Sequence, residues 1–188
     1  MDLYACFLIP AYTLLFAGDK AWFQTNFSVL AVRGETYYYG FLLWSLLVGG
    51  YFLVVMLSLT AKLKGRRLRR LLFSMISAAC ACLAYGAAIP YLPARLPRYS
   101  RLHVGLVFGA CVLMMAALLV VLLACWRIEK RKYLPLLLWW SGNAAVSVLL
   151  LFLLGKVSSG LEVFFTLSTA FLVRSVWIRG VECREEIE

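Results

Sequence analysis

Acidic residues and histidine are scarce in this chain. Nine Asp and Glu stand against 19 Lys and Arg in 188 residues, and His103 is the only histidine. A protein zinc site needs about three ligands beside an open position. One histidine without a carboxylate cluster does not supply them, so metal-dependent intramembrane hydrolysis is not expected. No CxxC occurs, which removes the usual thioredoxin and zinc-ribbon patterns. Of the six cysteines, Cys6, Cys80, Cys82, Cys111 and Cys125 lie in apolar runs and Cys183 lies near the C-terminus. No loop holds a cysteine pair, so no structural disulfide is expected. No cofactor is expected either. Charged residues of both signs amount to 15% and hydrophobic ones to 64%. A soluble domain of this size cannot bury that much apolar surface. The period-two alternation of a transmembrane barrel is also missing. The chain opens Met1-Asp2, without the basic residues of a signal peptide, so its first apolar run is read as a retained span.

Six apolar runs remain, at or near the length of about 20 residues that spans hydrocarbon. They are Leu3–Gly18, Tyr37–Thr60, Leu71–Leu92, Leu102–Trp126, Tyr133–Gly155 and Val157–Ile178. The expected fold is therefore all-α: one domain over 1–188, six transmembrane helices in a single bundle, and a short tail at 179–188. Pro10 is expected to bend the first run, and Pro135 to sit harmlessly in the first turn of the fifth. The two faint Leu-Leu-Trp repeats, at Leu42 and Leu137, do not establish an inverted repeat.

Orientation follows from the basic links. Lys62, Lys64, Arg66, Arg67, Arg69 and Arg70 join spans two and three; Arg127, Lys130, Arg131 and Lys132 join spans four and five. These ten outnumber six on the opposite side, namely Lys20, Arg33, Arg95, Arg98, Arg101 and Lys156. Basic residues are retained inside, so both termini are expected in the cytoplasm. The run from Lys62 to Arg70 can also hold anionic lipid head groups. Nucleic acid is not an expected partner, because no recognition module accompanies the charge.

Several interior residues are candidate ligand contacts. Asn143 falls near the middle of span five, with Ser147 one turn away and Trp139 and Trp140 one turn the other way. A polar amide in hydrocarbon needs partners, so this group reads as an interhelical hydrogen bond or an aromatic-lined pocket. Glu162 starts a polar stripe with Thr166 and Thr169 in span six. Arg174 lies too far along the same helix to meet Glu162 and is expected to snorkel to the cytoplasmic head groups. His103 opens span four at the outer side. An acid–base pair of His103 with Glu162, with Ser28 or Ser100 as nucleophile, is allowed by topology. Small residues at packing spacing (Gly105 and Gly109; Ser45 and Gly49; Ser74, Ala78, Ala81, Tyr85 and Ala88) point first to packing within the chain and then to a homodimer or membrane-protein partner. In the first outer loop, Trp22, Phe23, Asn26, Phe27 and Leu30 form an amphipathic stripe. This segment is expected to be a short interfacial helix, its aromatic side chains turned to the bundle and Asn26 near His103 or Glu162.

The segment Asn26-Phe27-Ser28-Val29-Leu30-Ala31 resembles the first-loop Asn-x-x-Ser or Ile-Ser segment of the DRAM/Frag-type six-span membrane proteins and their uncharacterised bacterial relatives. His103, opening a span after a Pro-rich outer loop, is similar as well. In that group Asp and then Gly often follow the serine, where this chain has Val29 and Ala31. The resemblance implies a lipid-associated protein of a bacterial cytoplasmic membrane without established catalysis.

Three functions stay open on these grounds. The first is a non-catalytic bundle that binds a lipid or amphiphile or regulates a membrane partner. The second is a transporter or its substrate-binding subunit, with Asn143 and Glu162 lining the path. The third is a lipid-modifying enzyme using His103.

Overall fold

A computed structural model describes residues 1–18 and 22–185, with side chains through 180. Asp19 and Lys20 of the first loop, the Cys183 side chain and residues 186–188 of the expected tail lie outside the described residues. Every element among the described residues is helical: α1 (Tyr4–Ala17), α2 (Phe27–Ala31), α3 (Glu35–Ala61), α4 (Arg66–Ala88), α5 (Pro97–Ile128), α6 (Lys130–Leu154) and α7 (Ser159–Glu185). Helices α3 to α7 are long and apolar enough to cross a membrane, whereas α1 is shorter. Its first part, Tyr4–Leu8, is a π-helical stretch immediately before Pro10. A proline lacks the N–H that the regular ladder needs, and a widened turn is one way to accommodate it.

The five long helices form a ring in the order α3, α4, α5, α6, α7, and α1 lies in the groove between α3 and α7. Bulky apolar side chains fill the middle, among them Val55, Met56, Leu118, Val121, Leu122 and Leu172, all essentially without exposure. Hydrogen bonds fix α1 and α7 on α3. Trp44 Nε1 donates to Thr13 Oγ1 at 3.0 Å, Tyr12 to the Gly40 carbonyl at 3.1 Å, and Tyr51 to the Ala170 carbonyl at 3.1 Å. A neutral carbonyl in mid-helix accepts such a bond without losing its own helical partner, because it has two lone pairs.

Helix boundaries differ from the apolar runs in informative ways. Helix α4 begins at Arg66, so Arg66, Arg67, Arg69 and Arg70 occupy its first turns rather than a loop. Arginine is a good helix former, and only hydropathy, not propensity, separated it from the span. Helix α6 begins at Lys130, which puts Pro135 inside the helix instead of its first turn. One non-helical residue, Glu129, divides α5 from α6. Helix α7 continues to Glu185, so the expected tail at 179–188 is helical over its described part.

The small-residue faces are also reassigned. Ser74, Ala78, Ala81, Tyr85 and Ala88 all face outward from α4, which packs instead through Leu72, Ile76, Ala79, Gly86 and Ala87. A Cβ placed on Gly105 or Gly109 would meet nothing within 4 Å, so that GxxxG makes no close contact in this chain. The intimate approach is at Gly86, where a Cβ would stand 2.8 Å from Val107 Cγ2 on α5. At Gly49 it would stand 3.3 Å from Leu83, in line with the expected packing role of the Ser45–Gly49 pair.

Contacts define the two ends of the ring. At one end the Lys62 ammonium lies 4.1 Å from the Trp177 ring centre, and Arg179 donates to the Lys132 carbonyl. Arg174 pairs with Asp2 at 2.7 Å, which replaces the expected free snorkelling with a defined partner. The chain alternates direction, so the α4–α5 and α6–α7 links gather at the other end, together with α2.

Candidate functional site

The end that carries α2 concentrates the polar chemistry. Asn26 caps this short helix, its Oδ1 accepting from Val29 N at 2.8 Å, as N-cap residues do. Glu162 at the start of α7 accepts from Phe27 N at 2.7 Å. The carboxyl oxygen thereby satisfies an otherwise orphaned helix-terminal N–H. The Phe27 ring drops into an aromatic cage, with centroids 5.1 Å from Phe16 and 4.9 Å from Trp44, both edge to face. Phe27 has no exposure and Leu30 has 1%, so α2 is held from below by burial and from the side by hydrogen bonds.

The side attachment runs along the start of α7. Ser159 N donates to the Thr25 carbonyl at 2.7 Å and Gly160 N to the Trp22 carbonyl at 2.8 Å. The chain packs closely there, since a Cβ at Gly160 would stand 3.0 Å from the exposed Phe23 ring. Trp22 is partly buried and Phe23 exposed, so the aromatic stripe turns inward chiefly through Phe27. Asn26 lies against the α7 side, with its Nδ2 donating to the Val157 carbonyl at 3.4 Å.

His103, 2% exposed, sits on the opposite flank of α2. Its Nδ1 faces two main-chain carbonyls, Gly86 at 2.7 Å and Ile89 at 2.9 Å. Only a protonated nitrogen satisfies carbonyl oxygens, so Nδ1 carries the hydrogen, and in that tautomer Nε2 presents a lone pair. Ser28 Oγ stands 2.7 Å from that Nε2 and donates to it. The geometry has a cause in the sequence. The N–H four residues after Gly86 is missing, because that residue is Pro90, and the Gly86 carbonyl accepts Ile89 N at 3.1 Å instead. The His103 Nδ1–H shares that carbonyl through its second lone pair. The missing side chain at Gly86 lets α4 come close enough to α5 for this to happen. Glu162 does not bond to His103; it is engaged with Phe27. Ser100 is also engaged elsewhere, accepting from Leu92 N at 3.0 Å.

Two cavities adjoin the pair. A small one of about 10 Å³ is lined by Ser28, His103, Tyr38, Phe41, Pro90 and Tyr91, among others, and is the size of a single water. A wider cleft of about 300 Å³ is lined by Val29, Val32, Tyr91, Leu92, Pro93, Ala94 and Arg95. Val32 and Tyr91 line both, so the two spaces adjoin at these residues. Sequence reading did not single out Tyr91, Pro93 or Arg95 as site residues. Their signal was the pair of prolines bracketing a Tyr, with a basic residue two positions beyond.

The mid-membrane candidates are separate from this site. Asn143, 2% exposed, donates from Nδ2 to Thr169 Oγ1 at 2.9 Å, which joins α6 to α7. The Asn143 Oδ1 and Ser147 Oγ are buried without a hydrogen-bond partner. Trp139 Nε1 donates to Ser168 on α7 at 3.0 Å, and Trp140 Nε1 to the Met115 carbonyl on α5 at 3.0 Å. The tryptophans therefore diverge toward two neighbours instead of lining one pocket, and neither outer cavity includes Asn143. Thr166 is buried in the same α7 face as Thr169. Lys64, Arg66, Arg67, Arg69 and Arg70 are exposed at the far end, as is Lys62 beside Trp177.

No protein-family model matches this chain, and no curated protein or solved structure matches it either.

Proposed function

We propose that this chain is a six-span membrane protein that binds a lipid or related amphiphile at its outer end. The observation that carries this reading is the cleft of about 300 Å³ beside α2. Val29, Val32, Leu92, Pro93 and Ala94 offer an apolar trough, while Arg95 supplies a cation at its edge. An apolar trough with one charge beside it suits a molecule with an acyl chain and an anionic head group, since pockets combine apolar lining with a few placed polar groups. In this reading α1 is the sixth span, short for the hydrocarbon core, and α2 lies in the interface above it. The membrane is the cytoplasmic membrane of a bacterium, with both termini and the Lys62–Arg70 cluster inside, where anionic head groups reinforce orientation. Transport through the middle of the ring is less well supported, because Asn143 closes on Thr169.

The test is native mass spectrometry of the detergent-purified protein, with lipid extraction to identify what stays bound. An acyl-bearing anionic species is expected to be retained by the wild type. Arg95→Glu should weaken its retention about fivefold, the worth of one basic residue near a membrane surface. Equal retention by both proteins would detach the cleft from lipid binding.

A further inference from the structure

We propose that Ser28 and His103 form a nucleophile–base pair that hydrolyses an acyl ester of the amphiphile seated in the adjoining cleft, an inference that rests on the binding reading above. Three independent features carry it. The first is the hydrogen bond of 2.7 Å from Ser28 Oγ to His103 Nε2, the contact by which a base activates a hydroxyl. The second is a fixed tautomer. Two carbonyls hold Nδ1–H, at 2.7 Å and 2.9 Å, in the position that a carboxylate occupies in the Ser-His-Asp arrangement. They belong to the C-terminal end of α4, whose partial negative charge favours the imidazolium that forms during the reaction. The third is placement. Ser28 and His103 line a water-sized cavity that shares Val32 and Tyr91 with the apolar cleft.

The chemistry balances without a metal or redox partner. The Oγ of Ser28 attacks the ester carbonyl carbon as its proton passes to Nε2 of His103. The tetrahedral adduct collapses, the C–O bond to the alcohol breaks, and Nε2 returns the proton to the departing alkoxide. Water then attacks the acyl-Ser28 ester, giving its proton to Nε2, and the fatty acid leaves as Ser28 recovers its hydrogen. The ester would reach Ser28 from the cleft past Tyr91 and Val32, the residues that the two spaces share.

An alkyl fluorophosphonate is the probe, because serine displaces its fluoride and keeps the phosphonate. The full chain in lipid nanodiscs should gain one adduct, mapped by peptide mass spectrometry to Ser28 and lost in Ser28→Ala. His103→Asn is the informative variant. The Asn amide matches the Nδ1 side of the ring, so it preserves the donor to the Gly86 carbonyl while deleting the base. Its melting temperature should stay close to the wild type, and its labelling rate should fall at least a hundredfold, the scale of a lost general base. Equal labelling of wild type and a folded His103→Asn would overturn the proposal. Retained lipid with no Ser28 adduct would overturn the catalytic inference alone. Neither retained lipid nor adduct would remove the binding reading as well.

Discussion

Single buried polar residues differ in what they hold. Glu162 accepts the Phe27 N–H and so ties α2 to α7. Removing the acceptor in Glu162→Ala should cost about 1–3 kcal/mol, the range for a buried donor left without its acceptor. Glu162→Gln keeps a carbonyl oxygen and should cost less; thermal unfolding in detergent compares the two. Asn143 is the milder case. It makes one bond to Thr169 while its Oδ1 is already unpartnered, so Asn143→Leu should cost about 0.6–2 kcal/mol, near the lower figure, by the same measurement. The importance of Asn143, Glu162 and His103 was legible in the sequence because polar groups in apolar runs must find partners. Their partners were not. His103 turns to two carbonyls at the end of α4, and Asp2 meets Arg174 across 172 positions of sequence, a distance no local pattern spans.

Among the elements, hydropathy marked the long helices well because burial in lipid selects composition over each whole span. It located ends less well, since Arg66 to Arg70 are helical yet polar. It also could not say which small residues touch a neighbour, because spacing puts residues on one face without naming what that face meets. A pair of substitutions separates the cases. Gly86→Ala pushes a methyl against Val107 and should destabilise by about 1–3 kcal/mol, the usual cost of overpacking. Gly105→Ala and Gly109→Ala meet open space and should leave the monomer's stability within about 0.5 kcal/mol. Gly86→Ala carries a second consequence, because moving α4 off α5 lengthens the His103 contact to the Gly86 carbonyl. Reduced Ser28 labelling at preserved secondary structure is the expected result.

For the molecule as a whole, the charge distribution sets the expected orientation. With the native cysteines replaced by serine, Arg66→Cys should react with a membrane-impermeant maleimide only after the membrane is opened. Strong labelling in intact cells would reverse the orientation, and α2 would then face the cytoplasm. The attachment of α2 also has a bearing on biogenesis. The hydrogen bonds from Phe27 to Glu162 and between Asn26 and Val157 close loops of 135 and 131 residues. The segment between α1 and α3 leaves the ribosome early, yet its anchors on α7 arrive last, and contacts this distant form late. Until then Phe27 has its cage but its N–H has no acceptor. The α2 cap therefore works as a completion latch: a chain stopped at residue 158 should carry the long helices α3 to α6 while leaving residues 22–31 open to protease. Only synthesis through α7 seats the cap, so any chemistry at Ser28 awaits a finished protein.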